Sequence, residues 1–227
     1  MELPEDCAGV LLDLDDTLID FSEASPAALA HVLGPDADFA EWMELTEELY
    51  PRFTAGAIGY RELERRRLAA LLTRMGRPVP DVPELDAVEA HRRREVESRL
   101  RLYPDVLPFL ARVRASGRRI GVLSNSDGPQ QRRRTEQLGL APWLDAVTVS
   151  GDTGIAKPRR EAFALACRRL GVPAERTVHI GDSLEADALG AHGAGLGAVW
   201  LHRPHRGPTP PPPARGVAVV TTLDALV

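Results

Sequence analysis

Ala8-Gly9-Val10-Leu11-Leu12-Asp13-Leu14-Asp15-Asp16-Thr17-Leu18 governs how the rest of this chain is read. A short apolar run without helical periodicity stops at an acidic cluster. Such a run marks a strand buried on both faces, as in a parallel sheet. The same signature recurs at 119–123, 146–149, 177–180, 197–201 and 217–220. Between these lie helical patterns. Segment 104–116 carries apolar Val106, Leu107, Leu110 and Val113 in a helical pattern closed by Gly117, and 159–170 carries Phe163, Ala166 and Leu170 closed by Gly171. Strands alternating with helices predict βαβ units, hence an α/β fold with a doubly wound parallel sheet.

The stretch 20–103 breaks that alternation. It shows helical patterns near 26–33, 39–53, 60–75 and 84–102, separated by Pro35, Gly56, Gly59, Gly76, Pro78, Pro80 and Pro83. The expected organisation is a core of 1–19 and 104–227 with an all-helical insertion at 20–103. The one low-complexity segment, 204–213, ends in four prolines and predicts a stiff surface loop between two strands.

Composition narrows the class. A chain of 227 residues suits one core domain with an insertion. At 44% apolar and 27% charged residues, general disorder is excluded. The balance of 28 basic against 33 acidic residues, net −5, argues against nucleic acid or an anionic membrane as partner. Cys7 and Cys167 cannot build a disulfide framework. No apolar run approaches the roughly 20 residues of a membrane span. The acidic start, Met1-Glu2-Leu3-Pro4-Glu5-Asp6, is unlike a signal peptide. A soluble cytoplasmic protein is expected.

In α/β sheets, ligands bind beyond the carboxyl ends of the strands. Four of those ends carry polar groups. Asp13 and Asp15 would share one side if extension continued, with Asp16 pointing elsewhere. Two carboxylates there can divide the work of nucleophile or cation ligand and of proton transfer. Ser124 and Asn125 precede a helix start, where a hydroxyl, an amide and backbone N–H groups suit an anion. Gly151 and Gly154 predict a mobile loop leading to Lys157-Pro158, with Lys157 at the start of the next helix. A cation there is unfavourable unless an anion joins it. Lys157 is also the only lysine beside 27 arginines. Gly181 permits a tight turn before Asp182, and Asp187 lies one helical turn further on. Hard carboxylate oxygens suit Mg²⁺, which takes one or two of them plus water and substrate phosphate. A cation site and an anion site on one edge are what phosphoryl transfer needs.

These residues resemble the four ordered motifs of the haloacid dehalogenase (HAD) superfamily. Asp13-Leu14-Asp15-Asp16-Thr17-Leu18 matches DxDxT. Ser124 and Asn125 match the second motif, Lys157-Pro158 the third, and Gly181-Asp182 with Asp187 the fourth. The resemblance implies a Rossmann-like core and a C1-type helical cap whose hinges lie near Asp20-Phe21 and Leu102-Pro104. It implies Asp13 as nucleophile and Asp15 as general acid, then base. It implies Mg²⁺ on Asp13, Asp182 and the backbone carbonyl of Asp15, supported by Asp187. Ser124, the backbone at Asn125 and Lys157 would hold the phosphoryl oxygens.

The implied reaction is Mg²⁺-dependent hydrolysis of a small phosphomonoester: a sugar, nucleotide or glycolate-type phosphate. The partner is that metabolite, and the protein a monomer or homodimer. The superfamily's dehalogenases lack the second aspartate, so Asp15 favours a phosphatase. Phosphomutase chemistry on the same scaffold is the alternative, although Asp16 replaces the glycine common in sugar-phosphate mutases. A 2-haloacid dehalogenase comes after it. A silent binding member would have lost Asp13, Asp15, Lys157 or Asp182, and all are present. Within the cap, Arg52, Phe53 and Tyr60 form the candidate specificity segment. Three other features are expected to be structural. The arginine triplets 65–67, 92–94 and 132–134 are expected to lie on solvated helix faces, and His179 and Cys167 to be packed. The remaining histidines, such as His202 and His205, show no metal spacing.

Overall fold

Gly9-Val10-Leu11-Leu12 forms β1 (Gly9–Leu12), buried along its whole length at the centre of a six-stranded sheet. The computed structural model describes residues 2–213 and 215–226. The other strands are β2 (Arg119–Ser124), β3 (Ala146–Val149), β4 (Thr177–Gly181), β5 (Gly197–Leu201) and β6 (Val217–Val220). All pairings are parallel, in the order β3-β2-β1-β4-β5-β6. Leu12 lies opposite Val122 of β2 and Ile180 of β4. Apolar side chains cover both faces, so the strands read as continuous runs rather than alternating ones. The order reverses at β1, where the doubly wound architecture opens a crevice.

The chain divides into two compact units, residues 1–19 with 102–227, and residues 20–101. The second crossing falls two residues before the expected boundary. Ile19 forms an antiparallel bridge with Leu102, and the Tyr103 N–H donates to the Leu18 carbonyl at 3.1 Å. Those pairings tie 102 and 103 to the sheet unit.

The helical unit comprises α1 (Phe21–Leu33), α2 (Phe39–Thr54), α3 (Tyr60–Arg74) and α4 (Val82–Arg99). Helix α1 begins earlier than expected because Asp20 caps it, accepting the Glu23 N–H at 3.2 Å, and Pro26 sits inside. Leu29, Trp42, Leu68 and Leu71 form one buried cluster, and Leu49, Phe53, Ile58 and Leu63 another. Phe53 packs between Tyr50, tilted to it, and Tyr60, edge to face, with centroids 5.7 and 5.6 Å away. Of the three specificity candidates, Phe53 is thus core, Tyr60 half-buried and Arg52 exposed.

In the sheet unit, α5 (Val106–Ala115) and α6 (Gly128–Gln137) are followed by α7 (Ser150–Thr153) and α8 (Arg160–Leu170). Phe163, Ala166, Cys167 and Leu170 of α8 pack on Leu11 and Leu123. The loop expected to be mobile is instead the short α7, closed by Gly154 at φ 69°. Helix α8 starts at Arg160, so Lys157 lies in the preceding loop and not at the helix start. A π-helical segment, Leu184–Leu189, leads into α9 (Gly190–Gly193). The proline-rich segment connects β5 to β6 and is exposed over most of its length. Cys7 and Cys167 are free and buried. Among the described residues, no helix is long and apolar enough to cross a membrane.

The arginine triplets depart from expectation. Each sends one member inward: Arg67, Arg92 and Arg134 are buried. Arg67 and Arg92 lie over the Trp42 ring, 3.8 and 4.8 Å from its centroid.

Candidate active site

The carboxyl ends of β1 and β4 deliver the central contacts. The Asp13 N–H donates to the Ile180 carbonyl at 3.0 Å, carrying the parallel pairing one residue past β1. Asp13 Oδ1 accepts from Lys157 Nζ at 2.6 Å, and the same ammonium donates to Asp187 Oδ1 at 2.6 Å. Lys157 is only 2% exposed. Burial works against its charge, but Asp13 and Asp187 more than offset that and hold its pKa above the ordinary lysine value.

Asp187 is fully engaged. Its Oδ1 also meets His179 Nε2 at 2.8 Å, and its Oδ2 accepts the Ser183 N–H at 3.0 Å. Burial opposes its charge, yet Lys157 and His179 hold this carboxyl well below the usual range. Gly181 makes the arrangement possible by lacking a side chain, since a Cβ there would lie 2.2 Å from Asp187 Cγ. Its requirement is thus close approach rather than a tight turn.

Burial pushes Asp13 well above the ordinary carboxylate range; Lys157 opposes the shift, and Asp187 and Asp182 reinforce it. Asp182 is pushed up to about 7 by burial first, with Asp187 adding to it. Arg206 NH2 lies 2.5 Å from Asp182 Oδ2, and Thr17 Oγ1 donates to Asp182 Oδ1 at 3.4 Å. Trp200 Nε1 donates to the Asp182 carbonyl at 2.9 Å.

Asp15 diverges from Asp13. The strand ends at Leu12 and the chain turns, with Asp16 at φ 58° and Asp15 bridged to Ile19. Asp15 therefore faces α6: Gln131 Nε2 donates to it at 2.8 Å and Arg134 NH1 at 3.0 Å. Asp16 pairs with Arg206 at 3.3 Å. Gln131 also donates to Ser124 Oγ at 3.1 Å. The Asn125 side chain grips the Lys157 backbone at both ends, accepting its N–H and donating to its carbonyl, each at 2.8 Å. That amide positions the lysine.

Carboxylate oxygens of Asp13, Asp182 and Asp187 lie within 4.8 Å of one another. Three carboxylates face one buried ammonium, leaving an excess of hard, negative oxygen donors that fits Mg²⁺. The Asp15 side chain stands outside this group.

A haloacid dehalogenase-like hydrolase model matches residues 7–195. The chain belongs to that family. It is 31% identical to the glyceraldehyde 3-phosphate phosphatase of Methanopyrus kandleri, over 86% of this chain and 83% of that one. It is 33% identical to a phosphoserine phosphatase of Thermus thermophilus, over 86% and 88% of the two chains. The magnesium-bound crystal structure of the HAD-hydrolase YfnB from Bacillus subtilis superposes with a TM-score of 0.80 at 26% identity, covering 96% of each chain.

The structure thus brings Asp13, Lys157, Asp182 and Asp187 into one cluster, with Asn125 bonded to the Lys157 backbone and Ser124 joined through Gln131 to Asp15. Arg52, Phe53 and Tyr60 belong to the helical unit. Sequence reasoning missed Gln131 and Arg134 on Asp15, Arg206 on Asp182 and the bond from His179 to Asp187. Arg134 lay inside a triplet set aside as solvated. His179 carried a usable signal: an imidazole in an otherwise apolar strand needs a polar partner.

Proposed function

We propose that this hydrolase cleaves a small phosphomonoester through a phosphoaspartate formed on Asp13. The observation that supports it most is the buried Lys157 ammonium bridging Asp13 and Asp187 beside Asp182. An Asp13 oxygen attacks phosphorus as the ester P–O bond breaks, and Asp15 gives a proton to the departing alkoxide. Asp15 then takes a proton from water, whose oxygen attacks the phosphoaspartate and frees phosphate and the Asp13 carboxylate. Lys157 holds phosphoryl oxygens electrostatically, aided by Ser124 and the backbone at Asn125. Gln131 and Arg134 set where the Asp15 carboxylate waits between its two proton transfers. Mg²⁺, when bound, neutralises phosphoryl charge; Asp13, Asp182 and the Asp15 carbonyl would hold it, with Asp187 supporting.

We assign the 20–101 unit the role of a C1-type cap that selects the substrate. Its insertion directly after the first acidic motif supports that role. Three-carbon phosphates of the kind named for the M. kandleri and T. thermophilus relatives are the first substrates to try. A reducing cytoplasm suits the two free cysteines.

The test is phosphate release from a panel containing glyceraldehyde 3-phosphate, phosphoserine, sugar phosphates and nucleoside monophosphates, with Mg²⁺ and with chelator. Metal-dependent release that disappears in Asp13→Asn is expected. Undiminished release in chelator, or in Asp13→Asn, would overturn the mechanism.

A further inference from the structure

Away from the strand ends, one cluster on the helical unit combines two imidazoles with a carboxylate. His31 lies in the last turn of α1. His91 and Glu95 are four residues apart on α4, the spacing that places both side chains on one face. Helices α1 and α4 pack together, so the three side chains converge. His31 Nε2 is 3.7 Å from Glu95 Oε2, and His91 Nε2 is 3.7 Å from Glu95 Oε1. All three ligand atoms lie within 4.8 Å of one another.

At 3.7 Å neither imidazole is hydrogen-bonded to the carboxylate. The separation has another natural meaning. Ligands about 2.0–2.1 Å from a tetrahedral metal stand about 3.3–3.4 Å apart. The two rings meet edge to face with centroids 6.1 Å apart, which leaves the Nε2 atoms room to converge. Half-exposed side chains, 54% for His31 and 47% for His91, can turn to bring the three ligand atoms from within 4.8 Å of one another to that spacing. Arg99 NH1 holds Glu95 Oε2 at 2.5 Å, an outer contact of the kind that orients a ligating carboxylate and leaves Oε1 for a metal.

We propose that His31, His91 and Glu95 form a site for a divalent transition metal of the Zn²⁺ type, clipping α1 to α4. Imidazole nitrogens select such ions over Mg²⁺, whereas the all-oxygen cluster of Asp13, Asp182 and Asp187 has the opposite preference. Water reaches the exposed face and completes the coordination. The inference does not depend on the catalytic reading. A metal there would run against the expectation that the remaining histidines show no metal spacing.

Co²⁺ is the probe, titrated into the full chain under saturating Mg²⁺. Visible d–d bands that Zn²⁺ abolishes are expected, and they should persist in the Asp13→Asn/Asp182→Asn double variant. His31→Ala, His91→Ala and Glu95→Gln should each weaken Co²⁺ binding by more than about tenfold. The three side chains lie outside both apolar clusters of the unit, so folding should survive, as circular dichroism will check. Three outcomes would overturn the site: no visible bands, bands lost in the aspartate double variant, or affinity within about twofold of wild type in His31→Ala/His91→Ala.

Discussion

Two buried charge clusters, one in the helical unit and one at the strand ends, are built differently. In the helical unit, Glu64 and Glu89 are each 1% exposed and pair with the buried Arg92, beside the buried Arg67. Arg92 Nε donates to Glu89 Oε2 at 2.8 Å, Arg93 NH1 to Glu64 Oε2 at 2.6 Å, and Arg67 NH1 to Thr46 Oγ1 at 3.1 Å. Two buried anions are matched by two buried cations stacked on Trp42, so nothing remains for a ligand to neutralise. Residual burial cost shows in the members' titration. Glu64 is raised by burial, with Glu89 adding, and Arg67 is lowered to about 10 by burial and by Arg92. At the strand ends, three carboxylates meet a single buried cation: Lys157 contacts Asp13 and Asp187, while Asp182 pairs with Arg206 on an exposed loop. That imbalance is what a bound cation and a phosphoryl group would resolve. Balance marks a cluster that holds a fold together, and imbalance marks one that awaits a ligand.

The sharpest way to break this contrast is to remove one carboxylate from each cluster. Asp13→Asn should cut phosphate release about 10⁴-fold or more, as for other covalent nucleophiles, and leave the fold intact. Glu89→Gln should leave turnover nearly untouched. Equal losses of turnover, measured side by side, would erase the distinction.

Stability should respond in the opposite sense. Arg92→Ala leaves Glu89 buried without its partner and should cost the helical unit about 3–5 kcal/mol. Replacing the pair together, Glu89→Leu with Arg92→Met, should recover most of that in denaturant unfolding. Failure of the double variant to recover would show that the arginine matters mainly through its packing on Trp42.

Lys157→Arg comes next. A planar guanidinium cannot deliver one point charge to Asp13 and Asp187 at once, so kcat should fall about 10²-fold despite the retained charge. Unchanged kcat, followed across a pH series, would show that any cation serves there.

The smallest effect tests a balanced pair inside the sheet unit. Arg203 donates to both oxygens of Asp105 at 3.0 and 3.1 Å, and Thr222 Oγ1 and the Leu223 N–H add bonds at 2.7 and 2.8 Å. Burial would raise this carboxyl, but those partners win and hold it below its ordinary value. As pH falls, the unfolded chain takes up that proton first. The stabilisation is therefore full at neutral pH and drains away below about pH 4, through the lower folded value. Asp105→Asn should lose about 1–3 kcal/mol at pH 7 and show a shallower loss of stability in acid. An identical acid slope would place the lability in other groups.

Much of this was legible in the residues. Each strand announced itself because burial on both faces forces an unbroken apolar run. The strand-end placement of Asp13, Ser124 and Asp182 followed from the rule that such sheets bind at that edge. Lys157 stood out as the single lysine among arginines. Helix starts were harder, since Asp20 caps α1 six residues ahead of the proline that suggested its beginning.

The architecture and the chemical character of the site rest on local pattern: period, turn residues and acidic clusters at strand ends. Which charges meet is settled by packing in three dimensions. Arg134 reaches Asp15 across 119 positions and Arg206 reaches Asp182 from a proline-rich loop. Each arginine triplet looks the same in sequence whichever member turns inward. An ion pair's partner, and so whether a buried charge is balanced or left over, is set by packing between elements distant along the chain, and no local pattern encodes it.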